Sequence, residues 1–230
     1  MPYFYPTDIY YLILVVPALL VALFADIKVK SAFSKYSKIP AKAGYTAREV
    51  ARFILDSNGL QDVQIERIGG NLTDHYDPRS NTVRLSDNVY ASTSVATLGI
   101  AAHEVGHAIQ HSKNYTPIKV RNALVPVTQI ASYAAIPLAL IGLIFGNILL
   151  KVGIILFAVT VLFQLVTLPV EFNASSRAME TLKSNGFMEN DDLAGTKKVL
   201  SAAAFTYVAA ALVALMNLLR LILLARDRRD

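Results

Sequence analysis

Long apolar segments alternate with polar ones along the chain. The apolar runs cover residues 9–25, 123–150, 152–170 and 201–225. A helix needs about 20 mostly apolar residues to cross the hydrocarbon core of a bilayer. The pattern therefore predicts a mainly α, multi-span helical membrane protein. Its spans are an anchor at residues 8–26, a hairpin at residues 123–170 whose two runs are separated by Lys151, and a fourth helix at residues 201–225.

The polar stretch between the first two spans, residues 27–122, has the patterns of a small α+β domain. Thr46 and Glu49 have the spacing of a capping box, and the apolar face of "TAREVARFILDSNG" predicts a short helix that ends at Asn58 and Gly59. The alternation in "DVQIERI" predicts a half-buried strand. "NLTDHYD" and "TVRLS" flank the turn residues "PRSN" as a hairpin. A histidine-rich helix is predicted to begin near residues 92–94.

Composition narrows the kinds of site and partner. The 230-residue chain is 54% hydrophobic and has no cysteine, so any metal must be held by histidines and carboxylates. The net charge of +5 comes largely from lysines beside the apolar spans, where the preference of basic residues for the cytoplasmic side explains them. We therefore expect a lipid bilayer as a partner and no nucleic acid.

The basic residues after the first span predict the orientation of the chain. Six lysines and arginines and no acidic residue lie between Asp26 and Glu49, and none precedes the first apolar run. This distribution predicts a retained anchor with the N-terminus outside and the following domain in the cytoplasm. Four full spans would place the C-terminal arginines outside, against the same rule. Either the last helix does not cross fully, or its acidic neighbours and its terminal position weaken the signal.

The segment "AAHEVGHAIQH" carries the candidate chemistry. His103 and His107 lie one helical turn apart, so both imidazoles can reach one ion, and Glu104 lies beside them to take a proton from a metal-activated water. The simpler alternative is a helix with incidental polar residues. Glu171, in "EFNASSRA", supplies a carboxylate for a third ligand. Small residues, which let two helices approach closely, line both helices: Gly99, Ala102 and Gly106 on one, and Ala174, Ser175 and Ala178 on the other.

The segments "AAHEVGHAIQH", "DHYDPRSNTVRLS", "LPVEFNASSRA" and "KKVLSAAAFTYVAAAL" closely resemble the YugP-like family of bacterial membrane-bound neutral zinc metallopeptidases. The resemblance implies a gluzincin-type protease with a zincin-like catalytic domain, one Zn²⁺ per chain, and Glu171 as third ligand in the segment 171–200. More distantly, the chain is similar to HtpX-like and Ste24-like peptidases, which have an aspartate one turn after the ligand glutamate. Ser175 occupies that place here, and its hydroxyl can still orient a ligand histidine.

Other polar residues compete for roles at the site. His111 lies about 12 Å along the helix axis from His103, too far to share one ion, and is expected to be partly solvated. His75 is a candidate catalytic residue that donates to the developing oxyanion, or alternatively ties the turn through Asp74 or Asp77. Arg177 lies off the face of Glu171 and is expected in an ion pair or at a lipid headgroup. Three tyrosines could each supply a phenolic donor, and the sequence does not choose among Tyr76, Tyr90 and Tyr207.

These features favour a membrane-anchored zinc endopeptidase in the cell membrane, with its site at the cytoplasmic face. Its substrates would be membrane or membrane-associated proteins, and a regulatory membrane partner stays open. An intramembrane, site-2-type protease is an alternative, because the segment before His103 is apolar. A non-catalytic zinc-containing adaptor is another, although a structural site needs no base such as Glu104. A metal transporter would need a path of carboxylates through the spans, which the sequence lacks.

Overall fold

The computed structural model describes residues 8–145 and 147–227. Helices dominate it, and four of them are long and apolar enough to cross a membrane. They are α1 (Val16–Tyr36, preceded by a π-helical turn at Tyr11–Val15), α5 (Thr116–Phe145), α6 (Asn147–Ser184) and α7 (Asn190–Asp227). The predicted fold class, a mainly α multi-span protein with a small α+β part, is confirmed.

The chain forms two compact units. The first, here named the apolar unit, lies within residues 1–26, 120–168 and 206–230, and the second, the histidine unit, comprises residues 27–119 and 169–205. Each unit has its own cluster of buried apolar side chains. The long helices therefore contribute to both units, because α1, α5, α6 and α7 each have residues in both.

Small residues allow close helix packing in the apolar unit. A Cβ atom added to Gly153 on α6 would lie 2.6 Å from the backbone nitrogen of Ala139 on α5, so the two backbones approach closely there. α6 already begins at Asn147, so Lys151 lies inside that helix, not in the connection between the two spans. A lysine is a good helix former, and its long side chain need not break the helix.

The two ends of the described chain meet within the apolar unit. Arg220 on α7 donates to the carboxylate of Asp8 at 2.6 Å, and its guanidinium lies 5.2 Å from the ring centre of Tyr11. Tyr10 donates to Asp227 at 2.7 Å. The start of the first candidate span and the end of the last therefore lie together. This is expected when the chain crosses a membrane four times, because it then starts and ends on the same side.

The histidine unit has a three-stranded sheet packed against helices. β1 (Gln64–Ile68), β2 (His75–Asp77) and β3 (Thr82–Ser86) have the order β1-β3-β2. β2 and β3 form the predicted antiparallel hairpin, whereas β1 pairs with β3 in parallel. The sheet precedes a short helix α3 (Asp87–Tyr90) and the histidine helix α4 (Val95–Ser112).

Capping residues determine where two helices of this unit begin. α2 (Ala47–Ser57) starts with the predicted capping box, in which Thr46 and Glu49 bond each other's backbone. α4 is capped by Ser94, whose hydroxyl accepts from the backbone N–H of Thr97. The apolar face of α2 is fully buried against α4, so these two helices form the centre of the unit's core.

The third-ligand segment is not a separate helix. α6 continues without interruption from Asn147 through Glu171 to Ser184, and α7 likewise begins in the polar segment, at Asn190. Polar side chains do not end a helix whose backbone hydrogen bonds can continue, and the stop comes only near Gly186, which has a φ of +70°. The apolar pattern locates the span, but it does not locate the helix end.

Candidate metal centre

Three side chains of the histidine unit converge on one point. His103 and His107 project from adjacent turns of α4, and Glu171 projects from α6. One Oε atom of Glu171 lies 3.3 Å from Nε2 of His103 and 3.7 Å from Nε2 of His107. All three candidate ligand atoms lie within 4.8 Å of one another. The structure thus places together the three residues predicted as ligands.

The spacing of these atoms fits a zinc ion. Zinc binds histidine nitrogen and carboxylate oxygen at about 2.0–2.2 Å, so neighbouring ligand atoms of a tetrahedral site are separated by roughly 3.3 Å. The two distances to Glu171 are at or slightly above that value. Glu171 is 3% exposed and His107 is 8% exposed. A carboxylate so deeply buried needs a cationic partner, and a divalent ion held by Glu171 and the two imidazoles would meet that need.

Close packing of α4 on α6 makes the convergence possible. A Cβ atom added to Gly106 would lie 2.9 Å from the carbonyl oxygen of Ala174, so only glycine allows this approach. Gly99, in contrast, faces Thr196 on α7, whose methyl carbon would lie 2.6 Å from such a Cβ. The predicted stripe of small residues therefore contacts two neighbouring helices, and Gly106 is the part of it beside the candidate metal centre.

Both candidate histidine ligands have a partner at Nδ1. Nδ1 of His103 lies 3.1 Å from the hydroxyl oxygen of Ser175, the contact that the sequence suggested. Nδ1 of His107 lies 3.0 Å from Oε1 of Gln110. Partners of this kind fix the orientation of each ring, and in both rings the other nitrogen, Nε2, faces Glu171.

The charge of Glu104 helps to raise the pKa values of two neighbouring groups, His107 and Asp74. Burial disfavours the charged form of His107, but the nearby carboxylates of Glu171 and Glu104 outweigh burial, so the pKa of His107 is raised. The pKa of Asp74, just before β2, is also raised, by burial and by the charge of Glu104, although Ser86 donates two hydrogen bonds to it. The "DHYD" segment therefore lies beside the "HEVGH" helix.

His75 lies on β2, half-buried, at the sheet edge next to α4. Its Nδ1 is 2.8 Å from the carbonyl oxygen of Thr73, not from Asp74 or Asp77. A carbonyl only accepts, so Nδ1 carries the proton, and Nε2 of a neutral His75 is an acceptor. His75 can therefore donate to an oxyanion only as an imidazolium, which narrows the role predicted for it.

The remaining sequence candidates have other contacts. His111 is exposed in the last turn of α4, and its ring centre lies 6.0 Å from that of Tyr76. The Tyr76 hydroxyl donates to Asn81, and the Tyr90 ring lies under the Arg48 guanidinium. Arg177 donates from Nε to Oδ1 of Asn173 at 2.8 Å. None of these contacts selects a tyrosine for the site.

Sequence reasoning missed two residues next to the candidate ligands, Gln110 and Asn173. Gln110 is fully buried and donates from Nε2 to Oδ1 of Asn173 at 3.0 Å. The signal was available for Gln110, because it lies three residues after His107 and therefore on the same face of the helix. The role of Asn173 depends on the approach of two helices distant in sequence, which the pattern on one helix does not reveal.

Comparisons with known proteins identify the family of this chain. A model of the family described as "Putative neutral zinc metallopeptidase" matches residues 11–226. The chain is 50% identical over 221 residues to the "Putative membrane protease YugP" of Bacillus subtilis (strain 168), which covers 96% of this chain and 98% of that protein. No solved structure matches the chain. The family match includes both the histidine helix and Glu171.

Proposed function

Since the chain belongs to the neutral zinc metallopeptidase family, we propose that it is a membrane-anchored, zinc-dependent endopeptidase of the gluzincin type. One Zn²⁺ per chain is held by His103, His107 and Glu171. The observation that carries this proposal is the convergence of three ligand atoms, from two helices, within 4.8 Å. Three protein ligands leave a fourth zinc position for water or substrate, as hydrolysis requires and as a closed structural site does not allow.

Each residue of the site has a separate role in the proposed hydrolysis. A zinc ion held by His103, His107 and Glu171 would polarise the scissile carbonyl and lower the pKa of water. Glu104, next in sequence to His103, accepts the proton of the attacking water and returns it to the leaving amine. Gln110 and Ser175 hold the two imidazoles, and the close contact of Gly106 with α6 holds Glu171 against them. Protonated His75 donates to the oxyanion that forms on the carbonyl oxygen.

The edge of the sheet offers a place for an extended substrate. β2 pairs with β3 on one side, and no other described strand pairs with its second side. An extended peptide segment can add to such an edge through main-chain hydrogen bonds. β2 lies beside α4, so a peptide bound there would pass the candidate metal centre. This arrangement suits an endopeptidase, which binds the middle of a chain.

The bilayer determines which substrates reach the site. Four candidate spans belong to the same chain as the histidine unit, and the basic flank after the first span favours the cytoplasmic face. The relative in Bacillus subtilis is described as a membrane protease. We therefore propose that the substrates are membrane or membrane-associated proteins.

The test combines metal content with cleavage of an unfolded reporter protein by the detergent-purified full chain. We expect near-stoichiometric zinc and chelator-sensitive cleavage for the wild type. Glu104→Gln should keep zinc and lose cleavage, because the amide cannot accept the proton. Glu171→Ala should lose zinc, whereas the matched control His111→Ala, on the same helix but outside the triad, should keep it.

Several results would contradict the proposal. Cleavage by Glu104→Gln would remove Glu104 as the base. Zinc lost from His111→Ala but kept by Glu171→Ala would mean that the third ligand is wrong. A wild type that holds zinc but cleaves neither the reporter nor membrane proteins of its own host would indicate the adaptor, and a wild type without zinc would exclude both zinc functions.

A further inference from the structure

Gln110 is the most deeply buried large polar side chain beside the candidate metal centre. It is 0% exposed and lies about two helical turns after His103. Its Nε2 donates to the carbonyl oxygen of Val170 at 2.8 Å and to Oδ1 of Asn173 at 3.0 Å. Its Oε1 lies 3.0 Å from Nδ1 of His107. Both polar atoms of this side chain therefore have hydrogen-bond partners, and these partners lie around the site.

These contacts fix which end of the amide faces which partner. The carbonyl oxygen of Val170 can only accept, so the end of Gln110 that faces α6 must be the NH₂ group. Oε1 must then face His107, and an oxygen there requires a proton on Nδ1. The neutral ring consequently carries its lone pair on Nε2, the atom that lies 3.7 Å from Glu171. The carbonyl of Val170 thus fixes the orientation of the Gln110 amide, and that orientation fixes the tautomer of His107.

The network is held at its far end as well. Nε of Arg177 donates to the same Oδ1 of Asn173 that accepts from Gln110, at 2.8 Å. Because Arg177 has no acceptor, it keeps the amide oxygen of Asn173 facing Gln110. Val170 directly precedes Glu171, so the anchor of Gln110 lies next to the third ligand.

The partner of His103 does not select a tautomer in the same way. Its Nδ1 contacts the hydroxyl of Ser175 at 3.1 Å. A hydroxyl can donate or accept, so it orients the ring without selecting the tautomer. The selection of Nε2 as the ligand atom is therefore built into His107 and not into His103.

We propose that Gln110 is the positioning residue that holds His107 in the Nδ1–H tautomer with Nε2 directed at the metal position. This inference rests on the proposed function only in that an ion is bound there. It assigns Gln110 a role through His107, and Gln110 touches neither the ion nor the substrate.

Two substitutions separate this role from a merely structural one. Gln110→Met keeps the approximate volume but removes both donor and acceptor. Gln110→Glu keeps an oxygen that accepts from Nδ1–H but cannot donate to Val170. The matched control is Thr196→Val, because Thr196 is also 0% exposed and donates across helices, to the carbonyl of Val95 on α4. It lies outside the ligand network.

The first measurement is zinc affinity of the full chain, by competition with a chromophoric chelator, together with the thermal midpoint and the visible spectrum of the Co²⁺ form. We expect Gln110→Met to lose about 10–100-fold in zinc affinity and to change the Co²⁺ spectrum. Gln110→Glu should recover most of the affinity although its thermal midpoint stays low. Thr196→Val should lower the midpoint and leave affinity and spectrum unchanged.

A purely structural role predicts something different, and it would overturn the proposal. In that case Gln110→Glu would be as weak in zinc binding as Gln110→Met, and Thr196→Val would weaken it in proportion to its lost stability. Wild-type affinity in Gln110→Met would overturn it too.

A second measurement does not depend on metal. In metal-free protein, at a pH above the histidine pKa values, ¹⁵N NMR of the imidazoles should show His107 as the Nδ1–H form in the wild type and as a tautomer mixture in Gln110→Met. If the wild type binds no zinc, the proposed function fails, while these signals still decide the role of Gln110. If His107 has the same tautomer in Gln110→Met as in the wild type, the proposed role of Gln110 is wrong.

Discussion

Gly106→Ala tests whether the contact between α4 and α6 sets the metal centre. The added Cβ would lie 2.9 Å from the carbonyl oxygen of Ala174 and 3.2 Å from its Cα, both backbone atoms that no side-chain rotation can move. Ordinary contact begins at 3.4 Å, so α6 must move away by about 0.5 Å. Metal–ligand distances tolerate only about 0.2 Å. Glu171 lies one turn before Ala174 and moves with it.

The expected magnitudes differ for stability and for metal binding. Overpacking costs about 1–3 kcal/mol, and replacing a helical glycine by alanine returns about 1 kcal/mol. The net loss of folding free energy is therefore small, about 0–2 kcal/mol. Zinc affinity should fall by at least about tenfold, which corresponds to about 1.4 kcal/mol, because one of the three proposed ligands is displaced.

Gly99→Ala is the matched control. Its added Cβ would lie 2.6 Å from a methyl carbon of Thr196 on α7, and not from α6. It should therefore lower the thermal midpoint to a similar degree but leave zinc affinity unchanged. The assay is zinc competition and thermal unfolding of both variants in detergent. Wild-type zinc affinity in Gly106→Ala, with an unchanged or higher midpoint, would refute the argument that this contact positions Glu171.

Two further predictions concern the histidine unit away from the ligands. Thr46→Ala should cost about 0.5–2 kcal/mol of folding free energy, measured by thermal unfolding, because it removes the capping box of α2; an unchanged midpoint would contradict it. Hydrogen bonds from the Arg79 backbone, Arg84 and Ser80 lower the pKa of Asp77, so its contribution to stability is present above pH about 3.9 and lost as pH falls below that value. Asp77→Asn should lower the midpoint at pH 7, and the difference from the wild type should close in acid; a difference independent of pH would refute this assignment.

The two candidate histidine ligands could be located from the sequence because their spacing is local. His103, Glu104 and His107 lie within five residues, and the helical period alone puts the two imidazoles on one face. The quoted motifs also predicted the family, and that prediction is confirmed by the family match over residues 11–226. The role of Glu171 as a ligand and of His75 in catalysis stay predictions, although the structure brings Glu171 to the histidines.

Helix boundaries in the apolar segments were harder to predict. The sequence located each span by its lack of charge, but α6 begins before Lys151 and continues past Glu171, and α7 begins in a polar segment. Hydropathy reports which residues tolerate lipid, whereas a helix continues wherever its backbone hydrogen bonds do. The two criteria coincide only when a turn residue lies at the edge of the apolar run.

By itself, the sequence determined the spans, the capped helices, the hairpin and the two histidines with their glutamate, because each depends on residues a few positions apart. Only the tertiary structure decided that Gly106 meets Ala174, that Gln110 reaches Val170, and that Gly99 faces α7 and not α6. These contacts join residues about 60 to 100 positions apart. They arise from the packing of whole helices, whose rotation and translation no local pattern specifies.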